Sequence, residues 1–239
     1  DPVDAEIDGY GLNTSQERQM FFASDNWVGA HSAISENLAR YSAGHVPAYG
    51  ASHLDKAVEQ KLCEIFERQV SVFFVATGTA ANALALASIS RPGGITFCHR
   101  EAHVIADECG APEWFASGAR LFPVDGPNGK MAPQDLQRAI SLYPSGAVHS
   151  GQSMAVTITQ ATEAGTVYSL DEIAVISEIA HQNSLPLHMD GARFANALVS
   201  LQCTPAEMTW KQGVDILSFG GTKNGCWCAE ALVVLDPSN

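Results

Sequence analysis

Basic residues are scarce in this chain of 239 residues: Lys and Arg total 13 against 26 Asp and Glu, for a formal net charge of −13. So acidic a surface repels phosphate backbones and anionic headgroups, which argues against nucleic acid or a membrane as partner. Long apolar runs are missing too, none reaching the roughly 18 residues a membrane helix needs. The opening DPVDAEIDGYGLNTSQERQM lacks the basic and apolar regions of a signal peptide, and residues 1–20 read as a loose arm. Six cysteines are too few and too irregular for a disulfide framework. Cys226 and Cys228 form a C-x-C pair, but no second pair or spaced histidines complete a zinc site, so no metal is expected. All six read as reduced thiols of a cytoplasmic protein. No repeat and no low-complexity linker divides the chain.

What is there is the composition of a globular domain, 46% hydrophobic and 16% charged. Residues 52–68 predict a helix with Leu54, Val58, Leu62, Ile65 and Phe66 on one face. VSVFFVA (70–76) reads as a buried strand, and GTAANALALASIS as the helix after it. Further strands are predicted at 94–98, 119–124, 154–160, 185–190 and 214–220, with helices between several of them. Ser169 to Glu172 and Thr204 to Glu207 are capping boxes. Strands alternating with helices imply a mainly parallel sheet covered on both faces. EALVVLD (230–236) follows a short loop and is expected to pair antiparallel. In such sheets ligands sit outside the C-terminal strand ends. That edge should gather Thr77 to Thr79, His99 to His103, Thr162 and Glu163, Asp190 to Arg193, and Gly220 to Lys223.

Three of these groups carry chemistry. TGTAAN (77–82) puts Gly78 and Thr79 at a helix start, where free N–H groups favour an anion; alternatively Thr79 is only an N-cap and Gly78 a turn residue. In HMDGAR, Asp190 directly follows an apolar strand and needs a partner. Either Arg193 pairs with it locally, or it holds a proton on a buried heterocyclic nitrogen. In SFGGTKNG, Lys223 sits among small residues: Gly220 and Gly221 would let the backbone approach a bulky ligand, and Thr222 offers a hydroxyl. A desolvated lysine there has a lowered pKa and forms a Schiff base with a carbonyl; the alternative is a lysine that pairs with a carboxylate at a loop. Together the three fit pyridoxal 5'-phosphate, an electron sink for carbanions.

FASDN, AYG, GTAAN, AHV with DECGAPE, ITQATEAGTVY, LHMDGARFANA, VDILSFGGTKNG and EALVV follow one another from about residue 21 to 235. In these stretches the chain resembles the threonine aldolase family, in its low-specificity and phenylserine aldolase branch. The resemblance implies an α/β, fold-type I (aspartate aminotransferase-like) large domain over residues 21–239. It implies Lys223 as the lysine bound to the cofactor, Asp190 at the pyridine nitrogen, and Arg193 beside the ring oxygen and substrate. Gly78 and Thr79 match the phosphate turn, with Thr222 beside it. His103 matches the histidine stacked on the ring, as platform alone or as platform and base. Ser24 matches a serine near the substrate carboxylate, and Tyr49 a tyrosine at the subunit interface.

The implied reaction cleaves Cα–Cβ of an amino-acid substrate (L-threonine, L-allo-threonine or phenylserine) to glycine and an aldehyde. The implied assembly is a homodimer or homotetramer. Glu163 replaces a histidine common in relatives and would act through water. The family's C-terminal small domain is expected to be absent, the chain being a fragment or a truncated form. The alternatives are a β-eliminating lyase, an aminotransferase, or a remnant that only binds cofactor.

Overall fold

Residues 22–237 are described by a computed structural model, so the arm expected over residues 1–20 lies outside them. A 3-10 turn (Asp25–Trp27) and helix α1 (Ser32–Tyr41) precede α2 (His53–Ile65). Ser52 and Asp55 close a capping box that starts α2. The apolar face read from the sequence is only partly used: Leu62 and Phe66 are buried, while Val58 is 44% and Ile65 37% exposed.

Strands and helices then alternate: β1 (Ser71–Val75), α3 (Gly78–Ile89), β2 (Gly94–His99), α4 (His103–Ala106), α5 (Ala111–Phe115), β3 (Arg120–Val124), α6 (Pro133–Ser141), β4 (Gln152–Thr159). They are followed by α7 (Leu170–Gln182), β5 (Leu187–Gly191), α8 (Phe194–Leu201), α9 (Pro205–Met208), β6 (Ile216–Gly220) and β7 (Glu230–Val234). Both expected capping boxes form, at Ser169–Glu172 and Thr204–Glu207.

The seven strands lie in the order β1-β7-β6-β5-β4-β2-β3, and only β7 runs against its neighbours. The antiparallel pairing read from EALVVLD is therefore present, and it has a consequence for the site. The start of β7 lies at the same edge as the C-terminal ends of the parallel strands, with Glu230 opposite both Gly220 and Val75. β1 is not the buried strand its sequence suggests. It pairs on one side only, and Phe73 and Phe74 are 56% and 51% exposed.

Period-two alternation sorts the faces of β5. Leu187 and Met189 join the main core with Ile173, Ile176 and Ile179 of α7. His188 and Asp190 face the other way, towards α3. His188 is bonded to Thr157 Oγ1 at 2.7 Å and Ser218 Oγ at 2.9 Å, and burial lowers its pKa to about 3, so the ring is neutral. α3 meets this face through small residues, with Ala81, Ala83 and Ala85 buried, and one polar side chain, Asn82, is buried among them. Among the described residues no helix is long and apolar enough to cross a membrane.

Candidate active site

A cavity of about 420 Å³ opens at the C-terminal edge of the sheet, lined by the start of α3, by His103, Asp190 and Lys223, and by Glu230. The loops after β1, β2, β5 and β6 therefore meet, as the strand-end rule predicts. At the α3 end the cap is Thr77, whose Oγ1 accepts the Ala80 N–H at 3.1 Å. Thr79 is thus not the N-cap. It stands within the first turn beside Gly78, and both line the cavity at a helix start, where free N–H groups favour an anion.

Asp190 is 2% exposed. Its Oδ1 accepts the Ala192 N–H at 3.0 Å and its Oδ2 the Asn82 amide at 3.0 Å, and among the described residues no cation pairs with it. The local pairing with Arg193 does not occur. Arg193 donates instead to Asp25, from Nε at 2.6 Å and Nη2 at 3.3 Å, and to Glu163 from Nη1 at 3.4 Å. Burial raises the Asp190 pKa, the neighbouring Glu108 charge adds to this, and the hydrogen bonds from Ala192 and Asn82 offset part of it. A carboxyl this dry is uncompensated until a positive partner enters the cavity.

Lys223 rides on a 3-10 turn, Thr222–Asn224, and is partly buried, with Nζ 3.9 Å from Asp25 Oδ1. Asp25 is pushed up by burial, but the hydrogen bond and charge of Arg193 and the charge of Lys223 outweigh this and leave it below the ordinary carboxyl value. The two glycines before the lysine serve packing rather than ligand approach. A Cβ at Gly220 would stand 2.8 Å from Ala192 Cα, and one at Gly221 2.9 Å from the Ala229 carbonyl. Thr222 donates its backbone N–H to Glu230 Oε1 at 3.2 Å, so Glu230 ties the lysine turn to β7.

His103 starts α4 and bonds through Nδ1 to Glu108 Oε1 at 2.9 Å. That bond is the main reason its pKa is raised; burial opposes it, and the charges of Glu108, Asp190 and Glu163 add to it.

Ser24 caps the turn that carries Asp25 and Asn26, accepting the Asn26 N–H at 3.2 Å, and only Asn26 of that turn lines the cavity. Tyr49 is fully exposed in the loop between α1 and α2 and is not brought to this chain's own cavity. Four residues given no role from sequence, Asp25, Asn82, Glu108 and Glu230, belong to the site. Asn82 had a signal, as a lone amide in an Ala/Leu helix. The others needed contacts such as the 168 residues that separate Asp25 from Arg193.

The chain is similar to known proteins over most of its length. The beta-eliminating lyase family model matches residues 22–238. The chain is 43% identical over 220 residues to a low specificity L-threonine aldolase of a Pseudomonas species, covering 92% of this chain and 62% of the relative. It is 44% identical over 212 residues to that of Pseudomonas aeruginosa, covering 89% and 61%. A threonine aldolase structure from Leishmania major superposes with a TM-score of 0.82 at 29% identity, over 90% of this chain and 63% of that one. The chain thus spans about three-fifths of the length of the relatives it matches.

Proposed function

The chain belongs to the beta-eliminating lyase family, and from that premise we propose that it is a pyridoxal 5'-phosphate-dependent aldolase. Its proposed reaction is the cleavage of a β-hydroxy-α-amino acid, L-threonine, L-allo-threonine or phenylserine, to glycine and an aldehyde. The observation that carries the cofactor is Asp190: a buried carboxyl with spare acceptor capacity, no cation partner among the described residues, and a place in the same cavity as Lys223. A protonated pyridine nitrogen is the partner such a group lacks. The donor set at the other end fits too, with N–H groups at Gly78 and Thr79 and the Thr222 hydroxyl for a phosphate. The reaction type is supported by the likeness to the two Pseudomonas aldolases.

The chemistry that pyridoxal phosphate supplies when bound is an electron sink for the pair left on Cα. The chain's own residues do the rest. Lys223 offers the amine that carries the cofactor, and Asp190 holds a proton at the ring nitrogen. His103 covers one ring face. Arg193 grips the substrate carboxylate, displacing Asp25, with Ser24 nearby; fixing that carboxylate decides which Cα bond is broken. Glu163, 3.4 Å from Arg193, steadies the guanidinium and serves the substrate hydroxyl through water. A homodimer or homotetramer completes the reading, in which the exposed Tyr49 reaches a neighbour's cavity. Six free thiols are in keeping with a cytoplasmic location.

Purified chain mixed with pyridoxal phosphate should show a visible absorbance band that Lys223→Ala abolishes, and light scattering should give a mass of two or four chains. Glycine and an aldehyde should then appear from at least one of the three substrates. Pyruvate and ammonia would point to β-elimination instead. A stable band with no product would mean that the chain binds cofactor only.

A further inference from the structure

Two buried polar side chains beside the cavity, Glu108 and Asn82, have no task in gripping cofactor or substrate. The Glu108 side chain is wholly buried, and its Oε1 takes two contacts, Asn82 Nδ2 at 2.8 Å and His103 Nδ1 at 2.9 Å. The same Asn82 nitrogen donates to Asp190 Oδ2 at 3.0 Å. Both amide hydrogens are thus spent on carboxyl groups, and a flipped amide would set its oxygen against two acceptors. His103 and Asp190, separated in sequence and on different elements, are the two ends of one hydrogen-bonded chain.

The charges along that chain are unequal. Glu108 and Asp190 share one amide nitrogen, so two buried carboxyl groups meet with a single neutral donor between them. Among the described residues His103 is the only group able to carry positive charge that is bonded to the pair. Asp107 beside Glu108, Glu230 on β7 and Lys223, which stands 3.9 Å from Asp25, line the cavity with it, and the charge of Glu163, itself 3.4 Å from Arg193, also acts on it. Carboxylates therefore outnumber the cations available to His103. A carboxylate accepts and does not donate, so Nδ1 carries a hydrogen, and Nε2 has no partner among the described residues.

We propose that Glu108 is the positioning residue of this site: it holds His103 by Nδ1, keeps the ring charged, and ties it through Asn82 to Asp190, so that His103 acts as a proton donor at Nε2 and not as the base. This rests on the aldolase reading. In it the β-hydroxyl proton goes elsewhere, to Glu163 through water or to the Lys223 amine. Cα receives the Nε2 proton, the neutral ring keeps its Nδ1–H on Glu108, and the hydroxyl's proton returns to Nε2 through solvent, so the cycle balances.

Histidine side-chain NMR of the ligand-free protein tests the assignment without turnover, with the His103 signal identified by His103→Asn. The wild-type midpoint should lie above the ordinary value of about 6.5. Glu108→Gln, which keeps the shape of the contact, should lower it by about one pH unit or more. A wild-type midpoint at or below the ordinary value overturns the proposal even if the variant does not fold. So does a midpoint that Glu108→Gln leaves in place. In glycine formation, kcat should fall as pH rises through that midpoint, and the falling limb should move down with Glu108→Gln; a rate that rises through it marks His103 as the base and overturns the proposal. Absence of glycine from every substrate would instead sink the aldolase reading and leave the NMR midpoints standing.

Discussion

Asp190 shows how one residue changes meaning with its surroundings. In HMDGAR a carboxylate and an arginine stand within one helical turn, and a local ion pair is a sufficient account. In the folded chain the arginine is drawn to Asp25 and Glu163, and the aspartate is left with an amide and a backbone N–H. Its worth is then electrostatic. Asp190→Asn keeps the shape but cannot hold a proton at the ring nitrogen. We expect kcat for glycine formation to fall by about 10²–10⁴-fold, with cofactor still bound. Turnover within a few-fold of wild type would remove Asp190 from that role. That Lys223, His103, Asp190 and the Gly78–Thr79 turn share one sheet edge was legible, because each follows a strand or opens a helix. Asn82, Glu108 and Asp25 were not, since their partners are distant in sequence and set by packing.

At the scale of elements, local signals were reliable where the interaction itself is local. The capping boxes at Ser169 and Thr204 form as written, since donor and acceptor lie three residues apart. Gly220 and Gly221 show the opposite case. Small residues before a lysine suggest room for a ligand, yet they exist because β6 meets the backbone after β5 on one side and the loop before β7 on the other. Gly220→Ala sets a methyl 2.8 Å from Ala192 Cα, and backbone cannot step aside as a side-chain tip can. We expect a loss of about 1–3 kcal/mol in urea unfolding, together with weaker cofactor binding as Asp190 and Lys223 are pushed apart. Unchanged stability and binding would mean that the two loops are looser than they look.

For the whole molecule, the site's charges set a pH dependence. His103 and Asp190 both have folded pKa values above their unfolded ones. A raised value means that its stabilising contribution is full below the unfolded pKa and is lost as pH rises through the folded one. Asp25 and Glu172 are lowered, so their contributions are lost only in acid, below the ordinary carboxyl range. In the ligand-free protein these two groups favour mildly acid pH, while buried His188, with its pKa lowered to about 3, opposes them because the fold gains stability as pH rises through the ordinary histidine value. Pyridoxal phosphate gives Asp190 a positive partner, so its addition should raise Tm more at pH 8 than at pH 5. Calorimetry at both values checks this, and a larger gain at pH 5 would contradict it. The edge position of β1 and the exposed side of α2 are decisions of the same scale, invisible in VSVFFVA or in a helical wheel.

By itself the sequence determined the alternation of strand and helix, the sense of β7, and the reactive groups at the strand ends. These depend on periodicity, turn chemistry and caps, which act over a few residues. The tertiary structure alone decided who pairs with whom. It turned Arg193 from Asp190 to Asp25, buried Glu108 and Asn82 between His103 and Asp190, and brought Glu230 to the lysine turn because β7 runs against the sheet. Such pairings follow from the order of strands and the desolvation of polar groups between them. Both arise only when distant segments are packed together.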